Sequence, residues 1–181
     1  LGLSFIDYPG IKQIHLVDPS IDVINVLKNK LIDSYITKQP LISVHKLKGQ
    51  DVTLNPESKI IFIAGMGGKE IGEIITHLLP QISAEDRLVI SPHRNILELR
   101  KQLHLTDLKL VDEIVLKEEG QFYQIICLTK SSIGPKVSVY GSKIWTGPSG
   151  EEYRQHQIGT FSNHQDLASR DYVTHLKQLS H

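Results

Sequence analysis

Apolar residues along this chain follow two rhythms. Short continuous apolar runs closed by turn residues predict buried strands, and apolar residues recurring every three or four positions predict helices. Gln13-Ile14-His15-Leu16-Val17 is the first run, closed by Asp18-Pro19. Ile24, Leu27 and Leu31 then recur at helical spacing, with Ser20 placed as N-cap. A second strand is predicted over Leu41 to His45 and a third over Lys59 to Ala64. The third is continuously apolar, as parallel strands covered on both faces are, and it reads as the central strand. Gly65-Met66-Gly67-Gly68 ends it, and a helix follows with Ile71, Ile74, Ile75, Leu78 and Leu79 on one face. Arg87 to Ser91 is a further strand ending at Pro92, after which Asn95 opens a helix carrying Ile96, Leu99 and Leu103. Leu108 to Leu116 and Phe122 to Thr129 read as a hairpin, with Gly120 supplying the turn.

Alternating strands and helices closed by an antiparallel pair predict an α/β fold: a mostly parallel sheet with helices on both faces and a C-terminal antiparallel hairpin. After Ile133-Gly134-Pro135 the character changes. Residues 134–150 are rich in Gly, Ser and Pro, and residues 151–181 are polar and His-rich, with a weak helical pattern through Leu167, Tyr172, Val173, Leu176 and Leu179. Residues 1–133 are therefore expected to form one domain. Residues 134–181 are a linker and extension, either packed on that domain or partly disordered.

Composition narrows the functional classes. A chain of 181 residues holds one hydrophobic core of ordinary size. Lys+Arg and Asp+Glu balance at 20 each, so an RNA partner would have to dock on a local patch rather than through overall charge. Lys101, Lys109, Lys117, Arg154 and Arg170 are candidates for that patch. Cys127, the single cysteine, excludes an internal disulfide and a thiolate cluster. The nine histidines are scattered without metal-ligand spacing, so no metal is expected. No stretch reads as a signal peptide or a membrane span, which makes the cytoplasm the expected compartment. The opening Leu1-Gly2-Leu3-Ser4-Phe5 has no initiator Met and reads as the inside of a longer protein.

Ligands of doubly wound sheets bind at the carboxyl ends of the strands. Three features fall there. Asp18 can accept hydrogen bonds from both hydroxyls of a ribose, or it can simply cap the following helix. The loop Ala64-Gly65-Met66-Gly67-Gly68 allows close backbone approach to a ligand ahead of a helix N-terminus, or it is merely a tight turn. Ser91-Pro92-His93-Arg94-Asn95 could hold a planar base, with His93 able to exchange a proton near neutral pH. Otherwise His93 faces solvent and Asn95 caps a helix. Ser4, Ser20 and Ser91 lack the context of a nucleophile elbow, and there is no P-loop.

The stretch Ile63-Ala64-Gly65-Met66-Gly67-Gly68, then Ser91-Pro92, Leu99-Arg100, and Val111-Asp112-Glu113-Ile114-Val115-Leu116-Lys117-Glu118-Glu119-Gly120-Gln121-Phe122-Tyr123 resembles the TrmK-type tRNA (adenine(22)-N1)-methyltransferases. The resemblance covers roughly residues 1–130, with Gly147-Pro148 a further match. It implies a Rossmann-like class I methyltransferase fold, S-adenosylmethionine as methyl donor and tRNA as substrate, with transfer to N1 of an adenine. The alternatives are methyl transfer to another RNA or a small molecule, or a non-catalytic RNA-binding module of this fold. It further implies that Asp18 and Pro19 meet the ribose of the donor and Gln50 and Asp51 its adenine. Ala64, Gly65 and Met66 would form the floor between donor and target, and His93 and Asn95 would flank the target base. The family's first strand and its Gly-rich loop are missing from this sequence: either they stand upstream of Leu1, or they are lacking, which favours the non-catalytic reading. The family has an acidic residue near position 48, where Lys48 stands here, and Asn where His93 stands.

Overall fold

The structure is a computed structural model that describes residues 9–34, 41–147 and 149–179. It divides into two compact units, Leu1–Thr53 and Leu54–His181. The opening residues Leu1 to Phe5, Ser4 among them, lie outside the described residues, as do Pro148 and His181.

In the first unit, strands β1 (Ile14–Asp18) and β2 (Ile42–Lys46) pair in parallel, in register from Ile14 with Ile42 to Asp18 with Lys46. Helix α1 (Ile21–Ser34) follows β1 and buries Ile24 and Leu31, two of the residues that the periodicity placed inward. Ser20 stands at its start, with the Val23 N–H donating to Ser20 Oγ at 3.4 Å. A short 3-10 turn at Gly49–Asp51 follows β2.

The second unit holds a four-stranded sheet in the order β3 (Ile60–Met66), β4 (Arg87–Pro92), β6 (Gln121–Thr129), β5 (Lys109–Glu118). β3 and β4 are parallel, and β4–β6 and β6–β5 are antiparallel. The expected hairpin is present, turning through positive φ at both Glu119 (48°) and Gly120 (79°), the geometry that matches strand twist. Among the described residues β3 pairs with β4 alone, and Ile60 and Phe62 are 55% and 41% exposed. An apolar run reports burial of side chains, not which edges of a strand carry hydrogen-bonded neighbours.

Helices α2 (Gly68–Leu78) and α3 (Ile96–His104) pack together, with Gln102 Nε2 donating to the Gly72 carbonyl at 3.1 Å. With α4 (Gly150–Phe161) they cover the face lined by Leu88, Ile90, Val115, Ile126 and Leu128. The other face carries Ile114 and Leu116, both exposed, so the expectation of helices on both faces is not met among the described residues of this unit.

A bulge at Val111 decides which side of β5 faces inward. The register steps from Leu110–Leu128 to Asp112–Cys127, which shifts the alternation by one residue. Glu113 and Val115 thereby enter the core in place of Ile114 and Leu116. Glu113 is 2% exposed and meets Arg100 of α3, itself 1% exposed, at 2.6 Å. Arg100 also donates to Gln124 Oε1 from Nε at 3.1 Å and to the Ser138 carbonyl at 3.0 Å. Gln124 Nε2 continues the chain to the Tyr153 hydroxyl at 2.8 Å. The second Glu113 oxygen accepts from the Ser142 and Lys143 N–H groups at 2.5 and 2.8 Å. Burial opposes ionisation of Glu113, but the Arg100 charge and these donors outweigh it and hold the carboxyl below its ordinary value.

That network fastens the Gly/Ser/Pro-rich segment and α4 to the sheet. α5 (Leu167–Gln178) packs on α4 through Arg154, which donates to the Leu176 carbonyl at 3.0 Å. Residues 150–178 are thus a packed helical pair rather than a tail. Arg154 is withdrawn from the RNA-facing patch: it is 8% exposed and bound to Glu151. Lys117 of that patch pairs with Glu152.

Candidate functional site

In the first unit, Asp18 lies at the carboxyl end of β1. Its Oδ1 accepts from the Ser20 N–H at 2.8 Å, turning the chain into α1 past the exposed Pro19. One carboxylate oxygen is therefore committed to the turn ahead of α1, while Oδ2 accepts from no other group among the described residues. Gln50 and Asp51 lie in the 3-10 turn, half-buried and exposed respectively.

In the second unit the loops after β3 and β4 are joined. The register of β3 on β4 steps from Ala64–Ser91 to Met66–Pro92, leaving Gly65 as a bulge with φ of 82°. A side chain at Gly65 would meet nothing within 4 Å, so the glycine answers to backbone conformation rather than to lack of space. The bulge leaves the backbone of Ala64 and Gly65 exposed at the end of the sheet, with Met66 half-buried behind. Beyond it, the His93 N–H donates to the Met66 carbonyl at 3.0 Å and the Gly68 N–H to the Arg94 carbonyl at 2.8 Å.

This pairing explains the two remaining glycines. A Cβ on Gly68 would stand 2.4 Å from the Asn95 carbonyl oxygen, and one on Gly67 would stand 2.5 Å from the Glu70 carboxylate and 2.8 Å from Arg94 Nε. Arg94 and Glu70 reach each other at 3.4 Å, both largely in water. Asn95 opens α3 in a left-handed conformation (φ 55°, ψ 38°), and its side chain makes no cap bond, so its amide is not consumed by the helix. His93 is exposed, and its ring meets Tyr123 of β6 edge-to-face, with centroids 5.9 Å apart and planes at 75°. Among the described residues, neither the His93 ring nor the Tyr123 hydroxyl has a hydrogen-bond partner.

Tyr123 is the residue of this rim that the sequence did not single out as a site residue. The signal available was the hairpin register, because a strand returning beside β4 brings its early residues to the carboxyl end of β4. Among the described residues no group of three or more His, Cys, Asp or Glu could hold a metal ion, and no helix is long and apolar enough to cross a membrane.

A bulged glycine loop and a second loop with unconsumed polar side chains thus stand together at the carboxyl ends of β3 and β4, the place where α/β sheets receive ligands. The chain belongs to the methyltransferase domain family, which it matches over residues 3–126. It is 32% identical over 85 residues to the tRNA (adenine(22)-N(1))-methyltransferase of Bacillus subtilis, a match covering 47% of this chain and 36% of that protein. It is 30% identical over 110 residues to a candidate tRNA methyltransferase of Mycoplasma genitalium, covering 59% and 49% respectively. The chain thus spans less than half the length of the curated relatives it matches. Its fold is similar to that of a Streptococcus pneumoniae protein described as a candidate tRNA N1-methyladenosine methyltransferase, with a TM-score of 0.80 at 21% identity, covering 99% of this chain and 87% of that one. The same protein in complex with S-adenosyl-L-methionine gives a TM-score of 0.77 at 22% identity, covering 100% and 87%.

Proposed function

We propose that this chain is the catalytic part of an S-adenosylmethionine-dependent enzyme that methylates N1 of an adenine in tRNA, working in the cytoplasm. The observation that carries the reading is the rim after β3 and β4. It is formed by the I-A-G-M-G-G and S-P segments and presents bare backbone beside His93 and Asn95, whose side chains hold no hydrogen-bond partner among the described residues. Family membership and the likeness to the Bacillus subtilis enzyme support the reaction and the substrate.

The residues present suit such a donor. In the first unit, Asp18 Oδ2 is left to accept a ribose hydroxyl, and Pro19 stiffens the loop that follows. Gln50 and Asp51 offer polar groups for a base edge. In the second unit, the Gly65 bulge leaves open space where a side chain would project. When bound, the donor supplies a methyl group on sulfonium, already electrophilic.

The protein's task is then alignment. Adenine N1 carries a lone pair, so no base is needed for attack, and holding it in line with the methyl carbon supplies most of the acceleration. The target base must leave its stack, at a cost of roughly a few kcal/mol. Asn95, with donor and acceptor both unused, bonds the base edge. Methylation leaves a positive charge on the base, and the N6 proton it sheds passes to His93 or to water.

Calorimetric titration of the full-length protein with S-adenosylmethionine is expected to show micromolar binding. Nucleoside mass spectrometry of tRNA incubated with both should then find 1-methyladenosine. No binding would overturn the enzyme reading, and binding with methylation elsewhere would overturn the assignment of N1.

A further inference from the structure

We infer that Tyr123 is the residue on which the target base stacks. This deepens the proposed function and rests on it for the identity of the base. Tyr123 sits on β6 opposite Leu116 of β5, on the sheet face away from the buried Gln124 and Ile126. The pairing of Ile90 with Ile126 runs β6 back along β4, so Tyr123 arrives beside the strand-end loop, where its ring meets His93 at 5.9 Å. It is half-buried, whereas His93 is exposed.

A ring fixed by a strand loses little freedom when a base is laid on it, so it serves as a platform better than a loop side chain does. Its hydroxyl holds no partner among the described residues and gains nothing for the fold. A core tyrosine would be expected to bond it, as Tyr153 does with Gln124. An aromatic face at the rim, with hydrogen-bonding groups on its neighbour His93 and on Asn95 two residues further along the same loop, suits a flat heterocycle with polar edges.

The test is steady-state methylation of tRNA by full-length wild type, Tyr123→Ala, Tyr123→Phe and Tyr123→Trp. Alongside it runs the fluorescence change of a single-stranded oligoribonucleotide carrying one 2-aminopurine. Base–aromatic stacking predicts a loss of about 5- to 150-fold in kcat/KM for Tyr123→Ala, mainly through KM for tRNA. Tyr123→Phe and Tyr123→Trp should restore it, with the melting temperature and S-adenosylmethionine affinity of all three unchanged. The 2-aminopurine signal should follow the same order. Active wild type with an equally active Tyr123→Ala variant overturns the inference, as does a loss that the Phe and Trp variants do not restore. Wild type that methylates no adenine but shows a Tyr123-dependent signal overturns the proposed reaction and leaves the stacking role standing. Absence of both overturns both.

Discussion

Gly68 has no room for a side chain: a Cβ there would lie 2.4 Å from the backbone oxygen of Asn95, which no rotamer change can relieve. Gly68→Ala is therefore expected to lose about 1–3 kcal/mol by overpacking and to weaken the link between the two strand-end loops. Gly65→Ala meets no atom but carries φ of 82°, so its cost is conformational, about 1–2 kcal/mol. Denaturant titration of the two variants, with donor affinity measured on each, checks both numbers. A Gly65→Asn variant, which tolerates the left-handed region, should recover part of the loss. For His93, removal tests the proton: His93→Ala is expected to slow turnover of tRNA in steady-state methylation assays run across pH. A variant with turnover unchanged at every pH assigns the proton to water. These residues were visible in the sequence as a Gly-rich loop and a polar loop, each at a strand end. That Gly65 serves a bulge, and Gly67 and Gly68 serve a contact with residues more than twenty positions away, was not visible, because spacing along a chain does not encode approach across a sheet.

Elements show the same division more sharply in β5. Alternation of Leu108, Leu110, Ile114 and Leu116 favours Ile114 and Leu116 as inward positions, yet the bulge at Val111 turns them out and brings Glu113 in against Arg100. Removing one partner of a buried ion pair strands the other charge, so Glu113→Gln is expected to cost about 3–5 kcal/mol. For a chain of this length that lowers the melting temperature by roughly 10 °C. The carboxyl of Glu113 is held below its ordinary value, and so is that of Asp86. Asp86 is opposed by burial and favoured by Lys59 and the Ser83 N–H. A depressed carboxylate stabilises the fold fully above its unfolded pKa, about 4. That contribution is lost as pH falls through the folded value. Thermal melts from pH 7 to pH 3 should therefore show wild type losing stability below about pH 4 and the Glu113→Gln variant losing less. The motif residues Arg100 and Glu113 thus hold the hairpin, α3 and the segment near Ser142 together, and their place in a recognisable pattern reflects architecture as well as chemistry.

At the scale of the whole chain, charge balance matters most. With 20 basic and 20 acidic residues, and with Arg154 buried and Lys117 paired, the chain has little general attraction for polyanions. Unrelated duplex RNA is expected to bind weakly at physiological salt and with a shallow salt dependence. Fluorescence anisotropy across salt concentrations reads this directly, and a steep slope would reveal a basic surface that the pairings conceal. The sequence by itself determined the class of fold, the order of strands and helices, the hairpin and its turn, and the two loops that carry the candidate chemistry. These follow from local periodicity and from residues such as Pro92 and Gly120, whose backbone preferences act where they stand. Only the tertiary structure decided that β3 pairs with β4 alone among the described residues, that the C-terminal stretch folds onto the domain as two helices, that Glu113 is inside, and that Tyr123 meets His93. Each of these depends on register between segments distant in the chain, and a shift of one residue in that register exchanges what is buried for what is exposed.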